Sequence, residues 1–308
     1  NKEEDPMKKA PKRDIHRDVT DKILAAIEAD PGEFKMPWRR RDRGLTLPRN
    51  FITKSTYSGI NIFGLSAAAI LRGFEHNLWG SYKQWEAAGA QVRRGAKAET
   101  VVFYKNFETE PDPNEPEDDG KRRVARASHV FNIAEVEGVV LPPAAEPGPL
   151  IERLAAVDRY VANTKVPVKI GGDRAFYRHS IDTVHMPEEG LFTGSDTMSR
   201  QESYYATLLH EICHASGHKS RLNRPVPKAF GDPVYIEEEL LVELAAAILC
   251  AELQVTQDTR PDHAQYIHHW HQLLKSDSKA IFRAAARASE AVNFLNRLQP
   301  ESQHQEAA

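Results

Sequence analysis

Apolar residues recur with two different periods along this chain, and each period predicts a different kind of element. In DIHRDVTDKILAAIEA, Ile15, Val19, Ile23 and Ile27 fall at helical spacing until Asp30-Pro31-Gly32 breaks the run, so one amphipathic helix is expected there. A basic stretch punctuated by Pro and Gly follows and leads into an apolar, alanine-rich helix around Asn61 to Leu71. SYKQWEAAG reads as a short helix capped by Ser81 and closed at Gly89. ETVVFYKNF and RRVARASHVFNIAEV are β-branched or alternating and predict two strands. TEPDPNEPEDDG between them holds no core-forming residue and reads as a disordered or mobile hairpin loop.

GVVLPPAAEPGP, residues 138–149, has little to pack and reads as a linker. Beyond it, PLIERLAAVDRYVANT predicts a helix, and VPVKI and AFYRHSIDTVHMP predict strands. A helix is expected over Met198–Ser216, and a second long one after Pro233. Two more are expected near His263–Leu274 and Ser278–Leu298. No internal repeat is visible. The expected fold class is α+β in two domains, a small α+β one over 1–137 and a mainly helical one with a small sheet over 150–308.

Composition sharpens this division. A chain of 308 residues with 41% hydrophobic content is long enough for two cores of ordinary size. The net charge of -3 is unevenly spread. Residues 1–107 carry 20 Lys/Arg against 13 Asp/Glu, residues 108–120 carry none against 7, and residues 121–308 carry 21 against 24. The excess of cations in the first part produces the sign of field that attracts phosphates. Cys213 and Cys250 are too few for a disulfide framework, which points to a reducing cytoplasm. The charged start NKEEDPMKKAPKRD is unlike a signal peptide, MKKAPKRD from Met7 reads as a natural start, and no apolar run suits a membrane partner.

The chemistry concentrates in TLLHEICHASGH, Thr207 to His218, which holds three of the 13 histidines. His210 and His214 are four apart on the expected helix, so both imidazoles leave one face and can hold one ion, with Glu211 beside the open position to take a proton from water. Tyr205, Leu208, Leu209, Ile212 and Cys213 form the apolar stripe, which leaves the histidines with Ser203, Thr207 and Gly217 on a non-core face. On the next helix Ile236, Leu240, Leu244, Ala247 and Ile248 form a buried stripe, and Glu239 and Glu243 fall inside it. Carboxylates there are costly unless a cation or hydrogen bonds neutralise them.

Glu239 is therefore expected as the third ligand and Glu243 as the acceptor for a ligating histidine's N–H, with Glu238 or Glu243 as substitute ligands. The competing pattern H-E-x-x-H-x-x-G-x-x-H matches Gly217 but would put its third histidine at Ser220, and His218 comes two residues early. Cys213 reads as a small core residue. His179 and His185 either face the cleft or are solvated. HHWH, His268 to His271, spreads around a helix axis and reads as structural.

Longer stretches carry a family resemblance. PRNFITKSTYSGINIFGL, LWGSYKQWEAAGAQVRRGAKAETVVFYK and HVFNIAEVEG are similar to the N-terminal domain of ArdC-type antirestriction proteins, also found in TraC-type plasmid primases. YYATLLHEICHASGHKSRLNR, YIEEELLVELAAAIL and WHQLLKSDSKAIFRAAARASEAVNFL resemble the zincin-like metallopeptidase domain that follows it in ArdC. The resemblance implies a single-stranded DNA-binding domain joined to a Zn²⁺ peptidase domain, carried by plasmids to protect incoming DNA. It maps His210, His214 and Glu239 onto the metal ligands and Glu211 onto the catalytic acid/base.

Binding to a single strand needs cations along a groove and aromatic faces for the bases. Trp38, Arg39, Arg40 and Arg41 put a stacking surface beside three cations, and Arg49, Lys54, Tyr57, Lys83, Arg93, Arg94 and Lys97 are the other candidates. Phe63, Trp85 and Phe103 read as core. The functional expectation is an antirestriction protein whose partners are single-stranded DNA and a DNA-bound protein substrate or restriction enzyme, with no set oligomeric state. A non-catalytic DNA shield is the alternative, and a primase accessory fragment a third reading.

Overall fold

The computed structural model describes residues 14–28, 47–108, 121–140, 150–194, 198–227, 232–256 and 264–300. Trp38, Arg39, Arg40 and Arg41, and most of the expected linker and acidic loop, lie outside the described residues. The elements in chain order are α1 (Ile15–Glu28), β1 (Arg49–Asn50), α2 (Ile60–Leu71), β2 (Leu78–Gly80), α3 (Tyr82–Ala87), β3 (Gln91–Val92), β4 (Glu99–Glu108), β5 (Lys121–Asn132) and β6 (Val136–Glu137). They continue as α4 (Leu150–Thr164), β7 (Val168–Ile170), β8 (Phe176–Arg178), β9 (Thr183–Met186), α5 (Arg200–Ser216), α6 (Pro233–Glu252), α7 (Ala264–Ser276) and α8 (Ala280–Arg297). The architecture is the expected α+β one in two parts.

In the first part β4 and β5 form a ten-pair antiparallel ribbon, from Glu99 opposite Val130 to Glu108 opposite Lys121. Its root joins a four-stranded sheet in the order β1-β2-β5-β4, and β3 pairs with β6 beside it. The helix α3 starts on a capping box between Ser81 and Gln84, worth roughly 1 kcal/mol at the N-cap. Asn61 on α2 grips the ribbon: its amide donates to the carbonyl of Val102 at 2.9 Å and accepts the Val102 N–H at 2.7 Å. In the second part α5 packs on a three-stranded sheet in the order β7-β9-β8, and α4, α6 and α8 pack against α5. AFYRHSIDTVHMP is two strands instead of one, because Asp182 adopts left-handed backbone (φ 48°) and turns β8 into β9.

One hydrophobic core runs through both parts. Val19 and Ile23 of α1, Ile62 and Phe63 of α2, and Val102 of β4 cluster with Leu209 and Ile212 of α5, Leu241 of α6 and Ala285 of α8. Polar contacts reinforce the union. The Thr20 hydroxyl donates to the Ser278 carbonyl at 2.7 Å, and the Gly59 N–H donates to the Ser289 hydroxyl at 3.1 Å. His271 Nε2 lies 2.7 Å from Glu28. That contact uses one member of HHWH structurally, while Trp270 is buried in the core and His269 is exposed.

Candidate metal centre and nucleic-acid face

The site begins with two well-capped helices. Ser199 and Glu202 form a capping box at the start of α5, and Asp232 accepts the Tyr235 N–H ahead of Pro233 at the start of α6. The two helices pack together and turn their polar residues toward each other. Ser203, Thr207 and His210 are 7%, 5% and 5% exposed, so the histidine face expected to lie away from the core is itself buried. What covers it is α6, whose own Glu238, Glu239 and Glu243 are buried.

Donor atoms of His210, His214 and Glu239 come within 4.8 Å of one another, the one such group of three among the described residues. Glu239 Oε1 is 3.4 Å from His214 Nε2, and Oε2 is 3.7 Å from His210 Nε2. Each ring turns its other nitrogen to a different carboxylate. His210 Nδ1 is 3.5 Å from Glu243 Oε2, and His214 Nδ1 is 3.5 Å from Glu238 Oε1. Both imidazoles are thus oriented with Nε2 toward a common point and Nδ1 toward an acceptor, the arrangement that presents a bare Nε2 lone pair to an ion.

Charge sets the demand for such an ion. Glu211, Glu238, Glu239 and Glu243 are all under 9% exposed, and Arg224, with its side chain 8% exposed, is the guanidinium among them, bonded to Glu238. Four buried carboxylates against one guanidinium is a costly balance without a further cation. Burial disfavours charge on His214, yet hydrogen bonds to Glu238 and Glu239 outweigh it and push the imidazole up to about 10. Burial likewise opposes ionisation of Glu238, but His214 and Arg224 hold it down at about 2. The donor set fits a divalent metal with two nitrogen ligands, one oxygen ligand and an open position.

Neighbouring groups sort themselves around this centre. His218 Nδ1 lies 2.7 Å from the Ser220 hydroxyl and 3.6 Å from Asp182, outside the triad. Burial and the charge of His214 lower the His179 pKa, and His185 stacks on Phe176 with ring centroids 4.7 Å apart. Cys213 is fully buried, and burial pushes its thiol pKa up, as suits a core residue. Arg224 escaped the sequence reading, since a loop arginine carries no periodic signal.

On the first part of the chain, Arg49, Lys54, Lys83, Arg93, Arg94 and Lys97 are all exposed. Arg93 and Arg94 line a groove of about 630 Å³ with Tyr82, Gln91, Phe131 and Glu137, and Lys54 Nζ sits 4.3 Å over the Phe51 ring. Tyr57 departs from expectation. Its ring is 8% exposed, packed with Leu65, Trp79 and Val101, so it offers no face to a base. Phe63 and Trp85 are buried as expected, but Phe103 is 50% exposed. The ribbon extends past its sheet there, and nothing described covers that side. Register sets Phe103 opposite Arg126 and Lys105 opposite Val124, so aromatic and cationic side chains alternate with Phe107 on one exposed face.

Two family models match the chain. One, for the N-terminal domain of anti-restriction factor ArdC, covers residues 13–131, and the other, for zincin-like metallopeptidases, covers residues 155–287. Fold and donor set therefore define a two-part protein with a zincin-like metallopeptidase domain in second place. Protein y4eC of Sinorhizobium fredii (strain NBRC 101917 / NGR234) is 39% identical over 95% of each chain. DNA primase TraC of Escherichia coli is 34% identical over 92% of this chain, which spans only 27% of that primase's length. Crystal structures of antirestriction protein ArdC from plasmid R388 align with TM-scores of 0.72 (metal-free) and 0.74 (Mn(II)-bound). Their identities are 31% and 30%, and the alignments cover 93% and 94% of this chain and 98% and 100% of theirs. The chain belongs to the ArdC antirestriction family.

No helix among the described residues is long and apolar enough to cross a membrane.

Proposed function

We propose that this chain is a cytoplasmic antirestriction protein that binds single-stranded DNA through residues 1–137 and, through residues 150–308, hydrolyses a protein bound to the same DNA. The observation that supports the peptidase reading is the convergence of His210, His214 and Glu239 within 4.8 Å between two buried helix faces. In this reading those three side chains hold Zn²⁺, which when bound supplies Lewis-acid polarisation of the scissile carbonyl. Glu211, adjacent to His210 and buried, takes the proton of the attacking water and delivers it to the leaving amine. Glu243 keeps His210 in the tautomer with Nε2 free.

The DNA reading is supported by the exposed cations around the groove and by the aromatic and basic face of the ribbon. Tethering to the strand raises the local concentration of any protein on it, so an inefficient peptidase suffices for a nearby substrate. The test compares wild type with Glu211→Gln for zinc and manganese content, for cleavage of DNA-bound protein, and for protection of DNA from restriction. Glu211→Gln is expected to keep its metal and lose cleavage and protection. Cleavage retained by Glu211→Gln would refute the assigned role, and protection without cleavage would favour a non-catalytic shield.

A further inference from the structure

Gly217 closes α5 with φ −80° and ψ −4°, a backbone any residue adopts, so torsion does not account for a glycine there. Space does. A Cβ at 217 would stand 2.8 Å from Cζ and Nη2 of Arg224 and 2.9 Å from Nε. That guanidinium occupies the end of the helix and spends its donors there. Nη1 donates to the Ser216 hydroxyl at 2.8 Å, and Nη2 donates to the Cys213 carbonyl at 2.8 Å and to Glu238 Oε1 at 2.7 Å. Nε donates to Glu238 Oε2 at 3.0 Å. Both side chains are under a tenth exposed.

The acceptor so held is the carboxylate that faces His214 Nδ1 at 3.5 Å. Arg224 thus ties Glu238, on α6, to the carbonyl end of α5, the helix that carries His214 itself. We propose that Arg224 is a positioning residue for the metal centre: acting through Glu238, it fixes the His214 ring so that Nε2 points at the ligand position beside Glu239. Two physical requirements converge on arginine here. Glu238 must stay charged to accept strongly, which in a buried place needs a paired cation. It must also stay aimed, which needs two parallel bonds from a planar fork. Lysine meets the first requirement and not the second. The inference rests on the metal-centre reading above and adds to it a residue outside the ligand set.

The test measures zinc affinity of the full-length protein by chelator competition, with the melting temperature of the metal-free form taken in parallel. Arg224→Lys keeps the charge but not the fork. Gly217→Ala leaves every charged group in place and displaces the guanidinium. Glu238→Gln keeps the shape and removes the charge. Each is expected to weaken zinc binding about 10–100-fold, the range for outer groups that orient metal ligands, and by more than any accompanying fall in metal-free stability accounts for. Affinities within twofold of wild type, or losses no larger than the fall in metal-free stability explains, would overturn the inference while leaving the metal centre standing. A wild-type protein that takes up no zinc would overturn both.

Discussion

Glu239 Oε1 lies 3.4 Å from Nε2 of His214, though the two residues belong to different helices joined by a loop of the chain. The carboxylate's other oxygen approaches His210, so one side chain spans both imidazoles. Removing it should cost the centre its third donor. Glu239→Ala is expected to lower bound zinc, measured by mass spectrometry, from near one equivalent to a small fraction, while metal-free Glu239→Ala folds at least as stably as wild type, because one of four clustered buried carboxylates is gone. Full zinc occupancy in Glu239→Ala would rule it out as a ligand.

The grip of Asn61 on Val102 makes a second prediction. Both bonds are buried and serve the point where ribbon meets helix. Asn61→Ala leaves the Val102 N–H and carbonyl unpaired and should cost about 2–6 kcal/mol, summing roughly 1–3 kcal/mol for each buried group. A urea-unfolding midpoint unchanged from wild type would contradict this.

Asp182 supplies a pH dependence. Burial raises its pKa, but hydrogen bonds from Arg221 and Tyr177 outweigh that and hold the carboxyl below its ordinary value. The folded value is depressed, so the contribution is complete above the unfolded pKa, near 4, and fades as pH falls through the folded one. Asp182→Asn, which tolerates the left-handed backbone, should lower stability at pH 7 by about 1 kcal/mol and flatten the loss between pH 5 and pH 3. Equal acid sensitivity of the two proteins in urea titrations would refute it.

The ribbon face makes a fourth prediction, in which stacking and charge separate. Phe103→Ala with Phe107→Ala should weaken binding of an oligothymidine by about 1–3 kcal/mol for each stack removed and leave the salt dependence intact. Lys105→Ala with Arg126→Ala should instead reduce the slope of log affinity against log salt by about one for each phosphate that is no longer neutralised. Unchanged oligothymidine affinity in both pairs would move the binding surface off the ribbon.

Much of this site is legible in residue order because its signals are periodic. His210 and His214 share a helix face by spacing, and Glu239 and Glu243 interrupt an apolar stripe where a carboxylate is costly without a cation or hydrogen bonds to neutralise it. What periodicity cannot show is which surface covers which. The histidine face reads as solvent-facing because the helix that buries it begins 17 residues after α5 ends. Phe103 reads as core because strand alternation identifies two faces without saying where the sheet stops supporting one of them. Tyr57, among polar neighbours, gives no hint of its buried ring. Arg224 and the reason for Gly217 belong to a loop folding back on a helix end, and only coordinates join them.

The docking of α1 against the far end of the chain limits how the molecule can be dissected. Val19 and Ile23 complete a core whose other walls come from α5, α6 and α8, and Glu28 and Thr20 bond to residues more than 240 positions later. A fragment ending at the linker would carry the greasy sides of α1 and α2 into water with no lid. Its stickiness in a DNA-binding assay would then report broken architecture, so alleles for mapping DNA contact are better made as point changes in the intact chain.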